Sequence, residues 1–147
     1  MNDKGDKQLA SINLLLFSVG GVHFGIDADQ VAGIAVYDGD QAEDLFWFHE
    51  ELEYEDAAAT YASPTVVTIR TGGVQSYRVI IDSMEDIAEF SQDDIRLFPE
   101  LLEPFAMRRG LWGILPVNGI MVLLLDFQRL LRNKRHCIEF NGGIVKC

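Results

Sequence analysis

Leu111-Trp-Gly-Ile-Leu-Pro-Val117, Asn118-Gly119, Ile120-Met-Val-Leu-Leu-Leu125 is the stretch that decides the fold class. An Asn-Gly pair between two apolar runs is the strongest short-range signal for a two-residue hairpin, because both turn positions take positive φ. Asp126 follows as an N-cap, and an amphipathic helix is predicted from Phe127 to about Asn133, with Arg129 and Arg132 toward its negative end. Working outward, the same grammar recurs. Ile12 to Val19, Gly20-Gly21 and Val22 to Ile26 read as one hairpin, and Thr65 to Thr71, Gly72-Gly73 and Val74 to Asp82 as another. Asp27 is placed to cap a short turn over Ala28 to Val31, before Ile34 to Tyr37 resumes a strand. Asp86 to Phe90 and Ile95 to Phe98 read as short extended pieces, and Pro99 and Pro104 bracket an irregular region. Cys137 to Cys147 reads as a last hairpin around Asn141-Gly142-Gly143. A three-residue loop there would set its two cysteines opposite each other, and a slip of one residue would part them, so a disulfide stays an open question. Short strands and few helical periods predict an all-β protein with minor helix, built as a small barrel or two.

Composition narrows the function. The chain has 147 residues, 48% apolar and 24% charged, which fits one domain with a core of its own. Acids outnumber bases 23 to 12, for a net charge of -11, the opposite of what nucleic acid or an anionic membrane attracts. No apolar run approaches the ~18 residues of a membrane span. The polar start, MNDKGDKQLAS, lacks a secretory core and predicts a cytoplasmic protein. The acidity is concentrated: no Lys or Arg occurs between Lys7 and Arg70, and nine acids fall between Asp38 and Asp56 around Leu45, Phe46, Trp47, Phe48 and Leu52. A short helix over Glu43 to Leu52 is one reading of that segment.

Catalytic motifs are missing. His23, His49 and His136 have no metal-ligand spacing, and His49-Glu-Glu-Leu-Glu53 departs from the zinc-hydrolase pattern at its fifth residue. No nucleophile elbow or phosphate-binding loop occurs. Asp38-Gly39-Asp40, with Glu43 and Asp44, has carboxylates enough for calcium but not the EF-hand spacing. Its readings are a solvated loop, a steering surface for a basic partner, or a site for a cation or small ligand along 38–56. Trp47 and Phe48 are either core or, if exposed, an aromatic anchor with a charged rim. Trp112 reads as core.

In order and spacing, three stretches resemble the CheW-like domain, the adaptor module of bacterial chemotaxis arrays. They are Leu14 to Ile34; Thr65 to Arg70 with Arg78-Val-Ile-Ile-Asp82, Asp86-Ile87 and Asp94-Ile-Arg96; and Gly110-Leu-Trp-Gly113 through Gly119 to Asp126 and Leu130-Leu131. The resemblance covers about two-thirds of the chain, and each motif alone is mainly apolar alternation with glycines. It implies one domain of two interlocked, five-stranded SH3-like barrels, with about 12–64 mostly in barrel one, about 65–132 mostly in barrel two, and 133–147 as a C-terminal hairpin extension. It also implies no catalysis, no cofactor, and protein partners: a CheA-type histidine kinase regulatory domain, a chemoreceptor cytoplasmic tip, or a second copy. Residues 38–64 depart from the family pattern, without Gly after Gly39 and without Arg, and Gly33 stands where the family often has an acid. Barrel one is therefore expected to be short of a strand or rebuilt. The candidate contacts are the apolar stripe Val31, Ile34 and Val36, the segment Phe46, Trp47 and Phe48, and the arginines Arg70, Arg78 and Arg96 expected to line the barrel junction.

Overall fold

In the computed structural model, which describes residues 10–53, 60–73 and 75–133, two antiparallel-rich sheets share a single main core. Nine strands are formed among the described residues: β1 Ser11–Val19, β2 Val22–Asp27, β3 Val31–Val36, β4 Leu45–Trp47, β5 Thr65–Ile69, β6 Arg78–Ile81, β7 Asp86–Ser91, β8 Leu111–Val117 and β9 Ile120–Leu125. Helix α1 is Phe48–Glu51, α2 is Glu103–Arg108, and α3 runs over residues 127–133. The expected mostly-β fold is therefore present. The hairpin at 137–147 and its cysteines lie outside the described residues.

The turns that mark hairpins in the sequence form them. Gly20 and Gly21 sit at φ 60° and 84°, Asn118 and Gly119 at 49° and 82°, so the flanking strands pair directly, Val19 with Val22 and Val117 with Ile120. The β5–β6 hairpin is looser than predicted: its strands end at Ile69 and resume at Arg78. Asp27 caps the 3-10 turn Ala28–Gln30 by accepting from the Asp29 amide at 2.9 Å. Asp126 caps α3, its Oδ1 accepting from the Arg129 amide at 3.0 Å.

Sheet membership does not change near residue 64. The five-stranded sheet runs β7-β1-β2-β9-β8 and the four-stranded sheet β3-β5-β6-β4. The first two strands thus join the last three, through a parallel pairing of β2 with β9, and residues 31–81 make the other sheet. That other sheet is the four-stranded one, and it contains the divergent segment. The piece predicted as extended over Ile95 to Phe98 starts so, with Ile95 at φ -82° and ψ 132°, and it makes one bridge, Arg96 to Ile114. It draws the chain leaving β7 across to β8, so opposite edges of the five-stranded sheet are tied together.

Alternation along β1 serves two cores. Leu15, Phe17 and Val19 face the main cluster between the sheets, with Ile26, Val67, Val79, Ile81 and Leu125. Leu14 faces the smaller cluster of Leu115, Val122 and Leu124, where Trp112 is only half-buried. The buried carboxylate of Asp82 is answered by the amides of Ala62, 3.0 Å, and Ser63, 2.6 Å, which pins the chain entering β5 to the end of β6.

Candidate protein-interaction surfaces

The stripe Val31, Ile34 and Val36 lies on β3, an edge strand of the four-stranded sheet. Residues spaced by three and two share a side here because the register shifts between Val31 and Gly33. Val31 pairs with Ile69 and Ile34 with Val67, both buried in the main cluster. The core-facing row then runs past the rim of the core: Val31 is half-buried, Ile34 is 40% exposed and Val36 84% exposed. An edge strand carrying exposed apolar side chains is a template for another strand or an apolar face.

The acidic-aromatic segment divides residue by residue. Leu45, Phe46 and Trp47 form β4, parallel to β6, and not a helix; the helix begins only at Phe48. Phe48 is no contact residue, because it is fully buried, its ring 5.1 Å from Phe17, 4.7 Å from Phe24 and 6.1 Å from Phe127. Phe46 packs on Tyr77 at 5.7 Å and is half-buried. Trp47 remains half-exposed between Tyr37, 5.4 Å, and Tyr61, 4.9 Å. Tyr37 follows β3 and Trp47 ends β4, so that contact brings the two edges of the four-stranded sheet toward each other. Tyr77 is buried with its hydroxyl donating to Glu51 Oε1 at 2.6 Å; burial, and then the carboxylate beside it, push its pKa upward.

The three arginines occupy three different settings and do not line one junction. The Arg78 fork closes on Asp44, Nε to Oδ2 at 2.9 Å and Nη2 to Oδ1 at 2.8 Å, with Asp40 Oδ2 at 3.5 Å. Ser76 Oγ also donates to Asp44 Oδ2, at 2.5 Å. Those bonds, Arg78 first and Ser76 second, hold the Asp44 carboxyl well below its ordinary range, and the Arg78 guanidinium is raised in turn. Arg78 therefore latches the divergent segment to β6. Arg70 is exposed near α3: its amide donates to Gln30 O, 2.8 Å, and its carbonyl accepts from Gln128 Nε2, 2.6 Å. Gln30 completes that corner, donating to Asp126 Oδ1 at 2.9 Å and accepting from the Phe127 amide at 3.0 Å. Arg96 is exposed beside β8.

The latch has a pH signature. A carboxyl whose pKa is lowered on folding contributes stability in full above its ordinary 3.8 and loses that contribution as pH falls below it. Asp44→Asn is thus expected to lower the urea midpoint at about pH 7, with the gap to the parent narrowing from about pH 4 downward. A gap independent of pH would mean that the ion pair contributes nothing to it.

A second apolar surface had no sequence signal. Leu97 is 77% exposed, Leu101 82% and Phe105 56%, around α2, where prolines read as irregular chain. Pro104 is in fact tolerated in the first turn of α2, where no helical amide partner is lost. Among the described residues no group of three or more His, Cys, Asp or Glu could hold a metal ion. Asp38, Asp40 and Asp44 do not form a calcium site, since a guanidinium occupies the Asp44 oxygens that a cation would need. No helix among the described residues is long and apolar enough to cross a membrane.

No protein-family model and no curated protein matches the chain. Among solved structures it is similar to the scaffolding protein TtCheW from Thermoanaerobacter tengcongensis, with a TM-score of 0.60 and 11% identity, over 81% of this chain and 86% of that one. What the two chains share is therefore a fold, two β-sheets with few helices, in the arrangement of a CheW scaffolding protein.

Proposed function

We propose that this chain is a non-enzymatic adaptor of chemotaxis-type signal transduction, linking a chemoreceptor cytoplasmic tip to a CheA-type histidine kinase or a related partner. The observation that carries the reading is the β3 edge, which among the described residues has a backbone ladder on one side only, with Ile34 and Val36 standing beyond the core. Its support is a fold shared with a scaffolding protein, together with the absence of catalytic motifs from the sequence. The cytoplasm is the compartment this function requires.

The partner is expected to add a strand or an apolar face to β3, so that main-chain hydrogen bonds give affinity and the side-chain row gives register. Calorimetry against a CheA regulatory domain and against a receptor cytoplasmic fragment tests this. Binding to at least one is expected, weakened by about tenfold or more in an Ile34→Lys, Val36→Lys double variant, since charge on an edge strand blocks pairing. Val36 is 84% exposed, so the single Val36→Lys variant is expected to keep its urea midpoint and separates lost binding from lost stability. Binding to neither partner, or binding that the double variant leaves unchanged, overturns the proposal. Gel filtration of the same variant reads the remaining possibility, a second copy docked on β3.

A further inference from the structure

The hollow around Trp47 is not used by anything described so far. Its volume is about 400 Å³, and Tyr37, Trp47, His49, Glu50 and Tyr61 line it. The Tyr37 ring meets Trp47 at 72° and the Tyr61 ring meets it at 75°, so three aromatic rings form a stepped corner. The corner is held in place. Tyr61 Oη accepts from the His49 amide at 3.2 Å and lies 3.0 Å from His49 Nδ1, and the Tyr37 hydroxyl donates to Asp40 O at 2.9 Å. Hydrogen bonds that fix side chains before a ligand arrives lower the entropy cost of binding.

Charge chooses the occupant. Aromatic faces attract cations, tryptophan most strongly. Glu50 is an exposed residue of the hollow's lining, with no salt bridge among the described residues. The surrounding segment is rich in acids and has no Lys or Arg from 8 to 69. Arg78, on β6, is closed on Asp44 and Asp40. Purely apolar docking would gain nothing from Glu50, and an anion would be repelled. A planar guanidinium stacks on rings and pairs with a carboxylate at once.

We propose that this corner is a docking site for an arginine side chain from a basic segment of a partner protein, seated in the hollow against the Trp47 and tyrosine rings with Glu50 as its counter-charge. The site is at the Tyr37–Trp47 contact and does not depend on what binds the exposed β3 row. It stands or falls separately from the adaptor reading.

The probe is an acetylated, amidated peptide of three arginines alternating with serines, with a control in which citrulline, equal in shape but uncharged, replaces arginine. A Trp112→Phe background leaves Trp47 as the single reporter, since the chain has two tryptophans. The arginine peptide is expected to change Trp47 emission saturably and to bind roughly tenfold more tightly than the citrulline control. Glu50→Gln, an exposed change, is expected to weaken binding by about fivefold. Trp47→Leu, followed by calorimetry with its fold checked by circular dichroism, is expected to weaken binding by about tenfold or more. Equal binding of the citrulline peptide overturns the proposal. So does arginine-peptide binding that a folded Trp47→Leu leaves intact, because attraction would then come only from diffuse acidity. Saturable binding of tetramethylammonium without arginine-peptide binding also overturns it, by assigning the corner to a small quaternary cation.

Discussion

Phe48→Ala lowers the unfolding free energy by about 3–5 kcal/mol, a large share of the about 5–15 kcal/mol that holds a typical domain together. The size follows from what the ring touches. Phe48 opens α1 directly after β4, so the four-stranded sheet delivers it. Phe17 and Phe24, edge-on to it, come from β1 and β2 of the five-stranded sheet, and Phe127 comes from α3. Truncation would open a cavity where both sheets and α3 meet, and no single element can shift to fill it without leaving another behind. Urea denaturation reads the result. Were Phe48 a partner anchor, the midpoint would hold and only binding would fall; a loss below about 1 kcal/mol would therefore remove α1 from the core. The outcome also decides how to regard residues 38–53. A segment that lacks the glycines and arginine of the CheW-like pattern would still supply the residue that joins the sheets.

What was legible in the sequence is local chemistry. Gly20-Gly21 and Asn118-Gly119 specify hairpins because their φ values are set by the residues themselves. The caps at Asp27 and Asp126 need only their own amide neighbours. The partition into sheets is of another kind. The parallel contact of His23 to Ile26 with Val122 to Leu125 joins segments nearly a hundred residues apart, and β4 pairs with β6 on the side away from β6's hairpin partner β5. No turn residue encodes either pairing, so how the strands divide between the two sheets is not written in any local stretch. The site shows the same split. The β3 stripe is readable as apolar spacing, although only the register shift near Ala32 puts its members on one side. Trp47 and Phe48 are adjacent, equally aromatic and equally flanked by acids, yet one is half-exposed and the other sealed. Arg78 has the composition of a contact residue, and only its meeting with Asp44, 34 positions earlier, commits it to the fold.

Gly110→Ala is expected to cost about 2–4 kcal/mol, for two reasons that a paired substitution can separate. Gly110 ends α2 with φ at 76°, its amide donating to Met107 O at 3.0 Å, the left-handed termination that favours glycine. Alanine there loses roughly 1–2 kcal/mol on backbone conformation alone. An added Cβ would also lie 2.9 Å from the carbonyl oxygen of Asp126, a main-chain atom that cannot swing aside. Asp126 is the residue that caps α3 and takes the Gln30 amide, so moving its carbonyl disturbs the helix that places Phe127 in the core. Gly21 supplies the comparison: its φ is 84°, equally left-handed, but a Cβ there meets nothing within 4 Å. Gly21→Ala is therefore expected to lose only the conformational part, about 1–2 kcal/mol. The excess at Gly110 in urea denaturation measures the approach of α2 to the start of α3. Equal losses at the two glycines would show that the Asp126 carbonyl yields freely, and that the contact between these helices does not fix the position of Phe127.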